Sequence, residues 1–236
     1  MKILLVSPAS PDDQRGNTVT SDRWIQIFQW LGHTVERAGG YEDVDQDLTL
    51  GLHARHSSDA LRQARREYPD RPIVLALTGT DLYRDIHEND SARRTLRVAD
   101  QLVVLQSEGP DELTEEEARK TTVIHQSVPR VHLPREEKSS LFEVAVIGHL
   151  RPVKDPFRTA LAVRDFPESS DLQVLHLGRE LEPGMKRRAI EETRDNARYR
   201  WIGEQPRTRT LQILARCDLL VHSSRLEGGA NVVSEA

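Results

Sequence analysis

The chain has 236 residues, of which 37% are hydrophobic and 30% charged, and its formal net charge is −5. This length allows one large domain or two small ones, and the charge gives no electrostatic case for nucleic acid binding. The single cysteine, Cys217, excludes an internal disulfide framework and fits a reducing compartment. Met1-Lys2 leads straight into Ile3–Val6, which is too short for a secretory core, and no apolar run approaches membrane-spanning length. We therefore expect a cytoplasmic protein without nucleic acid or membrane partners.

Short apolar runs alternate along the chain with longer polar segments. Runs of Val, Ile and Leu separated by helix-length stretches are typical of βα units, in which parallel strands are buried on both faces. The runs predict ten strands: Ile3–Val6, His33–Arg37, Leu48–Leu52, Ile73–Leu77, Leu102–Leu105, Thr122–Ile124, Val144–Ile147, Val174–Leu177, Tyr199–Ile202 and Leu219–Val221.

The segments between these runs predict helices. In the first of them, Trp24, Ile27, Phe28 and Leu31 recur at helical spacing, which indicates a face packed in a core rather than a ligand platform. The predicted helices are Thr20–Leu31, Asp59–Glu67, Ser91–Arg97, Asp155–Arg164, Met185–Asn196 and Arg207–Arg216.

A polar, proline-containing stretch interrupts the pattern between Gln126 and Leu141. It separates the first six predicted strands from the last four. We predict an α/β fold with two Rossmann-like domains, each a doubly wound parallel sheet: residues 1–126, a linker at 127–141, and residues 142–236. Ligands of such domains bind at the carboxyl ends of the strands.

The last fourteen residues, Ser223–Ala236, combine two carboxylates with a turn of small residues. Glu227 and Glu235 lie eight positions apart, and Gly228-Gly229-Ala230-Asn231 runs into a predicted helix. A glycine turn at a helix start offers free N–H groups to a phosphate, and ionised glutamates accept hydrogen bonds from sugar hydroxyls. The arrangement predicts a nucleotide-sugar site.

A second group of candidate residues follows the strand at Val144–Ile147. This strand ends at Gly148, and Arg151 and Lys154 come before the next helix. A diphosphate leaving group gains negative charge as a glycosidic bond breaks, so fixed cations stabilise the transition state more than the ground state. Taken alone, the two cations are consistent with a solvated turn. Together with Glu227 and Glu235 downstream, they predict a catalytic and donor-binding role.

Three loops of the first domain follow predicted strands and therefore lie at one edge of the sheet. They contain the cations and hydroxyls that a small oxyanion acceptor requires. Ordinary turn chemistry also accounts for the Gly-Asn loop, helix capping for Thr78 or Thr80, and a structural imidazole for His53, so these alternatives stay open. The candidate acceptor-binding residues are Arg15, Gly16, Asn17, Thr18, His53, Arg55, Thr78, Gly79, Thr80, Asp81 and Arg84.

Several common catalytic signatures are missing from the sequence. The nine histidines are scattered without an HExxH pattern, and no CxxC, Gly-x-Ser-x-Gly or Gly-x-Gly-x-x-Gly is present. We therefore expect no metal site and no resident cofactor, and we do not expect a Rossmann dehydrogenase.

The segment Ser223–Ala236 resembles the Glu-x7-Glu signature of the retaining family 4 glycosyltransferases, which have the GT-B fold, and Gly148–Asp155 resembles their pyrophosphate-binding segment. The resemblance implies that Glu227 contacts the donor sugar, that Glu235 holds the nucleotide ribose, and that the cations near Gly148 bind the pyrophosphate. It also implies a second domain that continues past Ala236. We therefore expect an incomplete second domain, whose exposed apolar surface leads to homo-oligomers.

Longer blocks resemble a narrower group, the selenosugar synthases of selenoneine biosynthesis. These blocks are Arg15–Asn17, Leu52–Arg55, Leu77–Ile86, Gly148–Pro156, Gly178–Met185, Tyr199–Glu204 and Ser223–Ala236. The resemblance extends over essentially the whole chain and implies transfer of a sugar, N-acetylglucosamine, from its UDP donor to selenophosphate, with formation of a C–Se bond. Two alternatives stay open: an ordinary O-glycosyltransferase acting on a sugar or lipid, and a non-catalytic module that binds nucleotide sugars.

Overall fold

The computed structural model describes residues 1–7, 16–129, 139–167 and 169–236, which form two compact units. The first unit comprises Met1–Val128 together with Glu227–Asn231, and the second comprises Pro129–Leu226 together with Val232–Ala236. This division differs from the predicted domains chiefly at Glu227–Asn231, which groups with the first unit. The predicted linker at 127–141 falls mostly on residues 130–138, which lie outside the described residues.

The first unit is built on a sheet of six parallel strands. They are β1 (Lys2–Val6), β2 (Thr34–Ala38), β3 (Leu48–Leu52), β4 (Ile73–Leu77), β5 (Gln101–Val104) and β6 (Thr121–Val123). Their spatial order is β2-β1-β3-β4-β5-β6. The central strands are almost fully buried, because helices cover both faces of a parallel sheet and leave room there only for apolar side chains.

Five helices accompany this sheet within the described residues: α1 (Gly16–Trp30), α2 (Ser58–Glu67), α3 (Ile86–Glu88), α4 (Asp90–Val98) and α5 (Glu115–Arg119). A π-helical turn, Asp81–Asp85, precedes α3, and a 3₁₀ turn lies at Gly109–Glu112. None of the described helices has the length and apolar character needed to cross a membrane.

The predicted apolar face of α1 is present in part. Trp24 is buried, and Phe28 packs against the same core cluster as Trp24. Leu31 is 65% exposed, so its place in the predicted core face was wrong. The reason is local: α1 ends at Trp30, and the chain turns at Gly32, whose φ of +82° favours glycine.

The second unit contains a sheet of four parallel strands: β7 (Phe142–Ile147), β8 (Leu172–Leu177), β9 (Tyr199–Gly203) and β10 (Leu219–Leu220). Their spatial order is β10-β7-β8-β9. Its helices are α6 (Arg158–Ala162), α7 (Met185–Asp195) and α8 (Arg207–Arg216), and a last helix, α9 (Asn231–Glu235), lies near the end of the chain. Val144, Val146, Val174 and Tyr199 form the centre of the core of this unit.

All ten predicted strands are present, with small shifts at their ends. The helix predicted at Asp155–Arg164 was too long: a 3₁₀ turn covers Pro152–Lys154, and α6 begins only at Arg158. Asp155 has a φ of +44°, which ends the first turn, and Pro156 has no N–H to donate to a helix. Consequently the backbone around Lys154 is an ordered turn rather than a helix.

Both sheets reverse their strand order at one point, which marks the edge where ligands bind in doubly wound folds. In the first unit the reversal falls between β1 and β3, and in the second unit it falls between β7 and β10. The residues that follow these strands are therefore positioned for binding.

Candidate functional site

The second unit has a small pocket at the reversal point between β7 and β10. The end of β7, the turn at Lys154 and the chain after β10 form its walls. Ser223 fixes this arrangement, because its hydroxyl donates to the carbonyls of Lys154 and Asp155 at 3.1 and 3.0 Å. The Arg225 N–H donates to the Val153 carbonyl at 2.8 Å. The pocket is lined by Val146, Ile147, Gly148, Lys154, Pro156, His176, Val221, His222, Ser223 and Ser224.

A buried histidine supports the Gly148 wall of the pocket. His176 Nε2 lies 3.0 Å from the Gly148 carbonyl oxygen, and His176 Nδ1 lies 2.6 Å from the Tyr199 hydroxyl. Burial lowers the pKa of His176 to about 4 and raises the pKa of Tyr199 above its usual value. His176 is therefore neutral near pH 7, with one ring nitrogen donating to Gly148 and the other accepting from Tyr199.

Gly178 brings a second backbone segment against this turn. Its φ is +149°, and a Cβ at this position would lie 2.6 Å from the Gly148 carbonyl carbon. Only glycine fits such an approach, so β8 and the turn after β7 pack backbone to backbone. This packing and the His176 bonds hold Gly148 in place beside Lys154.

The two predicted donor cations occupy different positions in the turn. Lys154 lines the pocket, and Arg151 stands half-buried at the start of the 3₁₀ turn, outside the pocket lining. Asp155 pairs with Arg158, whose Nε donates to it at 2.7 Å, and its carboxylate lies 3.7 Å from Arg225. Desolvation and then Arg179 lower the pKa of His149, so near pH 7 this ring adds no positive charge beside the turn.

Glu235, the predicted ribose-binding residue, also lies in the second unit. Its carboxylate is nearly buried, with 8% of the side chain exposed, and its Oε1 accepts a hydrogen bond from Arg207 at 2.6 Å. Arg207 is the first residue of α8. The carboxylate is therefore already held on one side by a cation.

The predicted donor segment Glu227–Asn231 belongs to the first unit. A Cβ on Gly228 would lie 2.7 Å from the Gly79 backbone nitrogen, and a Cβ on Gly229 would lie 2.8 Å from Leu105 Cβ. Gly228 and Gly229 thus lie against the carboxyl ends of β4 and β5, where only small residues fit, and Ala230 and Asn231 belong to the same unit. In the first unit this segment lies against the predicted acceptor loop at Thr78–Gly79.

The loops after β3 and β4 bring several predicted acceptor residues together. His53 Nε2 lies 3.2 Å from Thr80 Oγ1 and 3.8 Å from Asp85 Oδ2. Arg84 Nε donates to the other oxygen of Asp85 at 3.0 Å, and its side chain is about half exposed. His53 is 5% exposed, and within the described part of the chain its Nδ1 has no hydrogen-bond partner.

His56 adds a second imidazole to this cluster. Its ring centroid lies 4.2 Å from that of His53, and burial, followed by His53 and Arg55, lowers its pKa. Arg55 is exposed beside it. His53, His56 and Thr80, with Arg55 and Arg84 near them, form a polar cluster that we call the β3–β4 cluster.

Asp81 is a buried residue that holds the loops of this cluster together. It is fully buried, and its carboxylate accepts three backbone N–H bonds: from Ala54 at 2.9 Å, from Thr78 at 2.9 Å and from Gly79 at 2.8 Å. These bonds tie the loop after β3 to the loop after β4. Its burial gives Asp81 a positioning role in place of the predicted direct contact with an acceptor.

The remaining predicted acceptor residues lie at the start of α1. Gly16 begins the helix, Asn17 is partly buried, and Thr18 is 4% exposed, with its carbonyl accepting from the Ser21 hydroxyl. Arg15 lies outside the described residues. The described distances do not join Gly16, Asn17 or Thr18 to the β3–β4 cluster.

Four residues of these sites were not predicted from the sequence. Asp85 and His56 lie within the quoted loops, but nothing in their spacing separates them from ordinary polar loop residues. His176 lies inside an apolar strand, where a single polar residue flanked by leucines is a usable signal. Ser223 is the first residue of the quoted segment Ser223–Ala236, but its role depends on a turn nearly seventy positions away.

Comparisons with known proteins agree with this description. Residues 132–236 match the family model for glycosyl transferases group 1. A search of curated proteins gives no match.

In the described residues, no group of three or more His, Cys, Asp or Glu side chains is arranged to hold a metal ion.

Solved structures with a similar fold share little sequence identity with this chain. Sucrose-phosphate synthase from Thermosynechococcus elongatus has a TM-score of 0.73 at 14% identity, over 99% of this chain and 78% of its own. HepE from Anabaena in complex with UDP has a TM-score of 0.63 at 17% identity, over 95% of this chain and 74% of its own. S. aureus TarM has a TM-score of 0.61 at 13% identity, over 90% of this chain and 42% of its own.

The chain has the GT-B fold of glycosyltransferases, with one parallel sheet in each unit. Its residues from 132 onward are those that match the group 1 glycosyl transferases.

Proposed function

We propose that this protein is a glycosyltransferase that transfers N-acetylglucosamine from a UDP donor to selenophosphate. The observation that carries the proposal is the pocket of the second unit, where Lys154 and Gly148 lie together at the reversal point of a sheet within the part that matches the group 1 family. The HepE structure contains UDP, which supports a uridine nucleotide as the ligand of this fold.

The donor half of the reaction requires a cation near the leaving diphosphate. Lys154 is held by an ordered turn that Ser223 and Arg225 bond to the chain after β10, so its charge needs little reorganisation when the glycosidic bond breaks. Arg151 adds a second cation in the same turn. Glu227 and Glu235 are the proposed partners of sugar and ribose hydroxyls, which donate to ionised carboxylates.

The acceptor half requires donors that grip an oxyanion. The β3–β4 cluster offers an imidazole with an unsatisfied buried nitrogen, a hydroxyl at Thr80, and the guanidinium groups of Arg55 and Arg84. A guanidinium fork binds two of the three oxygens of selenophosphate and leaves the selenium free to react. Together with the resemblance of these loops to selenosugar synthases, this donor set supports selenophosphate as the acceptor.

The bond changes are simple. The bond between C1 of the sugar and the β-phosphate oxygen breaks, and UDP leaves with the electron pair. A lone pair of the selenium anion forms the new C1–Se bond, so no proton must be removed from the acceptor. Hydrolysis of the P–Se bond by water then gives phosphate and the 1-selenosugar. The protein supplies orientation and charge stabilisation rather than a general base.

One observation favours a second candidate, transfer to an alcohol. His53 lies 3.8 Å from the buried carboxylate of Asp85, and such a His–Asp pair is the usual arrangement for a base that takes a proton from a hydroxyl. An O-glycosyltransferase would use this pair, whereas transfer to selenophosphate would not need it.

An acceptor comparison tests the proposal. UDP release from UDP-N-acetylglucosamine is measured with selenophosphate, inorganic phosphate or glycerol as the only acceptor. We expect release with selenophosphate well above the level seen with either of the other two. Release driven by glycerol, with none from selenophosphate, would establish the second candidate instead. UDP binding without release for any acceptor would indicate a binding module.

A further inference from the structure

We propose that Arg207 is a positioning residue that holds the Glu235 carboxylate ready for the ribose of the nucleotide. The inference rests on the proposed function, which assigns Glu235 to the ribose. It adds a residue that lies outside every motif quoted from the sequence, on a different helix from Glu235.

The geometry of the pair is specific. Arg207 Nη2 lies 2.6 Å from Glu235 Oε1, and both residues belong to the second unit. Glu235 is the last residue of α9, a helix of five residues in which Val233 is exposed. Such a short helix has little stability of its own, so side-chain contacts must fix its orientation. The Arg207 bond is a direct contact of this kind on the functional carboxylate.

The position of Arg207 is fixed by the helix to which it belongs. It is the first residue of α8, and Pro206 precedes it in an extended conformation that restricts the backbone at the helix start. Helix α8 packs into the core of the second unit through Ile213, which is 2% exposed. The guanidinium therefore projects from a packed helix toward the less constrained one.

The Glu235 carboxylate can accept hydrogen bonds from a ribose while it is paired with Arg207. An ionised carboxylate has two oxygens with about four lone-pair sites, and Arg207 occupies only part of one oxygen. A nearly buried carboxylate without a cation is costly, whereas one paired with a guanidinium keeps its charge and its remaining acceptors. Ribose hydroxyls, which act as donors, match those remaining acceptors. Arg207 contacts Glu235 rather than the ligand in this arrangement, so its effect on binding passes through Glu235.

This role predicts a dependence on the ribose hydroxyls. Titration calorimetry compares UDP with 2′,3′-dideoxyuridine diphosphate, which lacks both hydroxyls. We expect Arg207→Ala to weaken UDP binding about five- to tenfold, because the misplaced carboxylate loses part of its charge-assisted hydrogen bonding to the ribose. Binding of the dideoxy analogue should change less than about twofold. Arg207→Lys, which keeps one charged donor, should recover part of the affinity for UDP.

A matched control comes from the same unit. Arg194 forms a similar pair with Asp195 at 2.7 Å on the exposed face of α7, and Arg194→Ala should leave both ligands unaffected. Equal weakening of UDP and of the dideoxy analogue by Arg207→Ala, or no weakening of either, would overturn the inference. If Arg207→Ala does not fold, the comparison is made with Arg207→Lys and Arg207→Gln.

Glu235→Gln separates this inference from the proposed function. If Glu235→Gln leaves UDP affinity unchanged, the ribose assignment itself fails. If Glu235→Gln weakens UDP and Arg207→Ala does not, only the positioning role of Arg207 fails. When both roles hold, Arg207→Ala adds little to the loss already caused by Glu235→Gln, because the two residues act as one unit.

Discussion

Replacing Asp81 by Asn tests how the β3–β4 cluster is held. One Asp81 oxygen accepts from the Thr78 and Gly79 N–H groups, and the other accepts from Ala54. Asn keeps one carbonyl oxygen, so its NH₂ group must face at least one backbone N–H. We expect a loss of about 2 kcal/mol, which is the cost of one charge-assisted hydrogen bond and a buried donor left without an acceptor. For a unit of this size, that lowers Tm by about 5–10 °C.

The same change should affect one substrate more than the other. Because Asp81 ties the loop after β3 to the loop after β4, Asp81→Asn should raise KM for the acceptor by several-fold and leave KM for the UDP-sugar nearly constant. Thermal unfolding and initial-rate kinetics measure both effects. Asp59→Asn is the control, since Asp59 is exposed and pairs with Arg62 on its own helix. An unchanged Tm together with an unchanged acceptor KM would show that Asp81 does not hold the two loops in place.

Three further predictions concern the two sites. Lys154→Ala should weaken UDP-sugar binding or turnover at least about tenfold, whereas Lys186→Ala on the exposed face of α7 should not; unchanged kinetics would remove Lys154 from the donor site. Arg55→Ala or Arg84→Ala should raise KM for selenophosphate several-fold with little effect on the UDP-sugar, and equal losses for both substrates would contradict the assignment. The unfolded state protonates His176 near pH 6.5 and the native state only near pH 4, because burial lowers the pKa to about 4. The free energy of unfolding therefore has its full value, with respect to His176, above pH 6.5 and falls by about 3 kcal/mol as the pH falls to 4. Urea unfolding from pH 7 to 4 should show a smaller loss of this free energy in His176→Gln, and identical profiles for the two proteins would contradict the prediction.

The strands were predictable because a parallel strand covered on both faces requires a continuous apolar run, such as Ile73–Leu77, and short runs of this kind are readily recognised. Helix limits were less predictable where a local feature overrides periodicity. Pro156 and the left-handed backbone of Asp155 shorten α6, and the turn at Gly32 leaves Leu31 exposed. Neither effect alters the pattern of apolar residues, so the pattern alone does not reveal it.

The candidate site was predictable where its residues follow strands. Gly148 and Lys154, and likewise His53 and Thr80, come directly after apolar runs, and the sheet brings the ends of those runs to one edge. Partners that depend on tertiary packing were not predictable. Ser223 bonds to a turn nearly seventy positions earlier, and Arg207 reaches Glu235 from another helix. The backbone partners of Asp81 likewise depend on tertiary packing, because its buried carboxylate ties together two loops that are distant in the sequence.

The most direct test of the proposed activity is analysis of the product. The protein is incubated with UDP-N-acetylglucosamine and selenophosphate, and the mixture is examined by mass spectrometry for the selenium isotope pattern. We predict a selenium-containing derivative of N-acetylglucosamine that accumulates in proportion to UDP and is strongly reduced in Lys154→Ala. Release of UDP with free N-acetylglucosamine or an O-glycoside as the only sugar product, and no selenium in any sugar, would contradict transfer to selenophosphate.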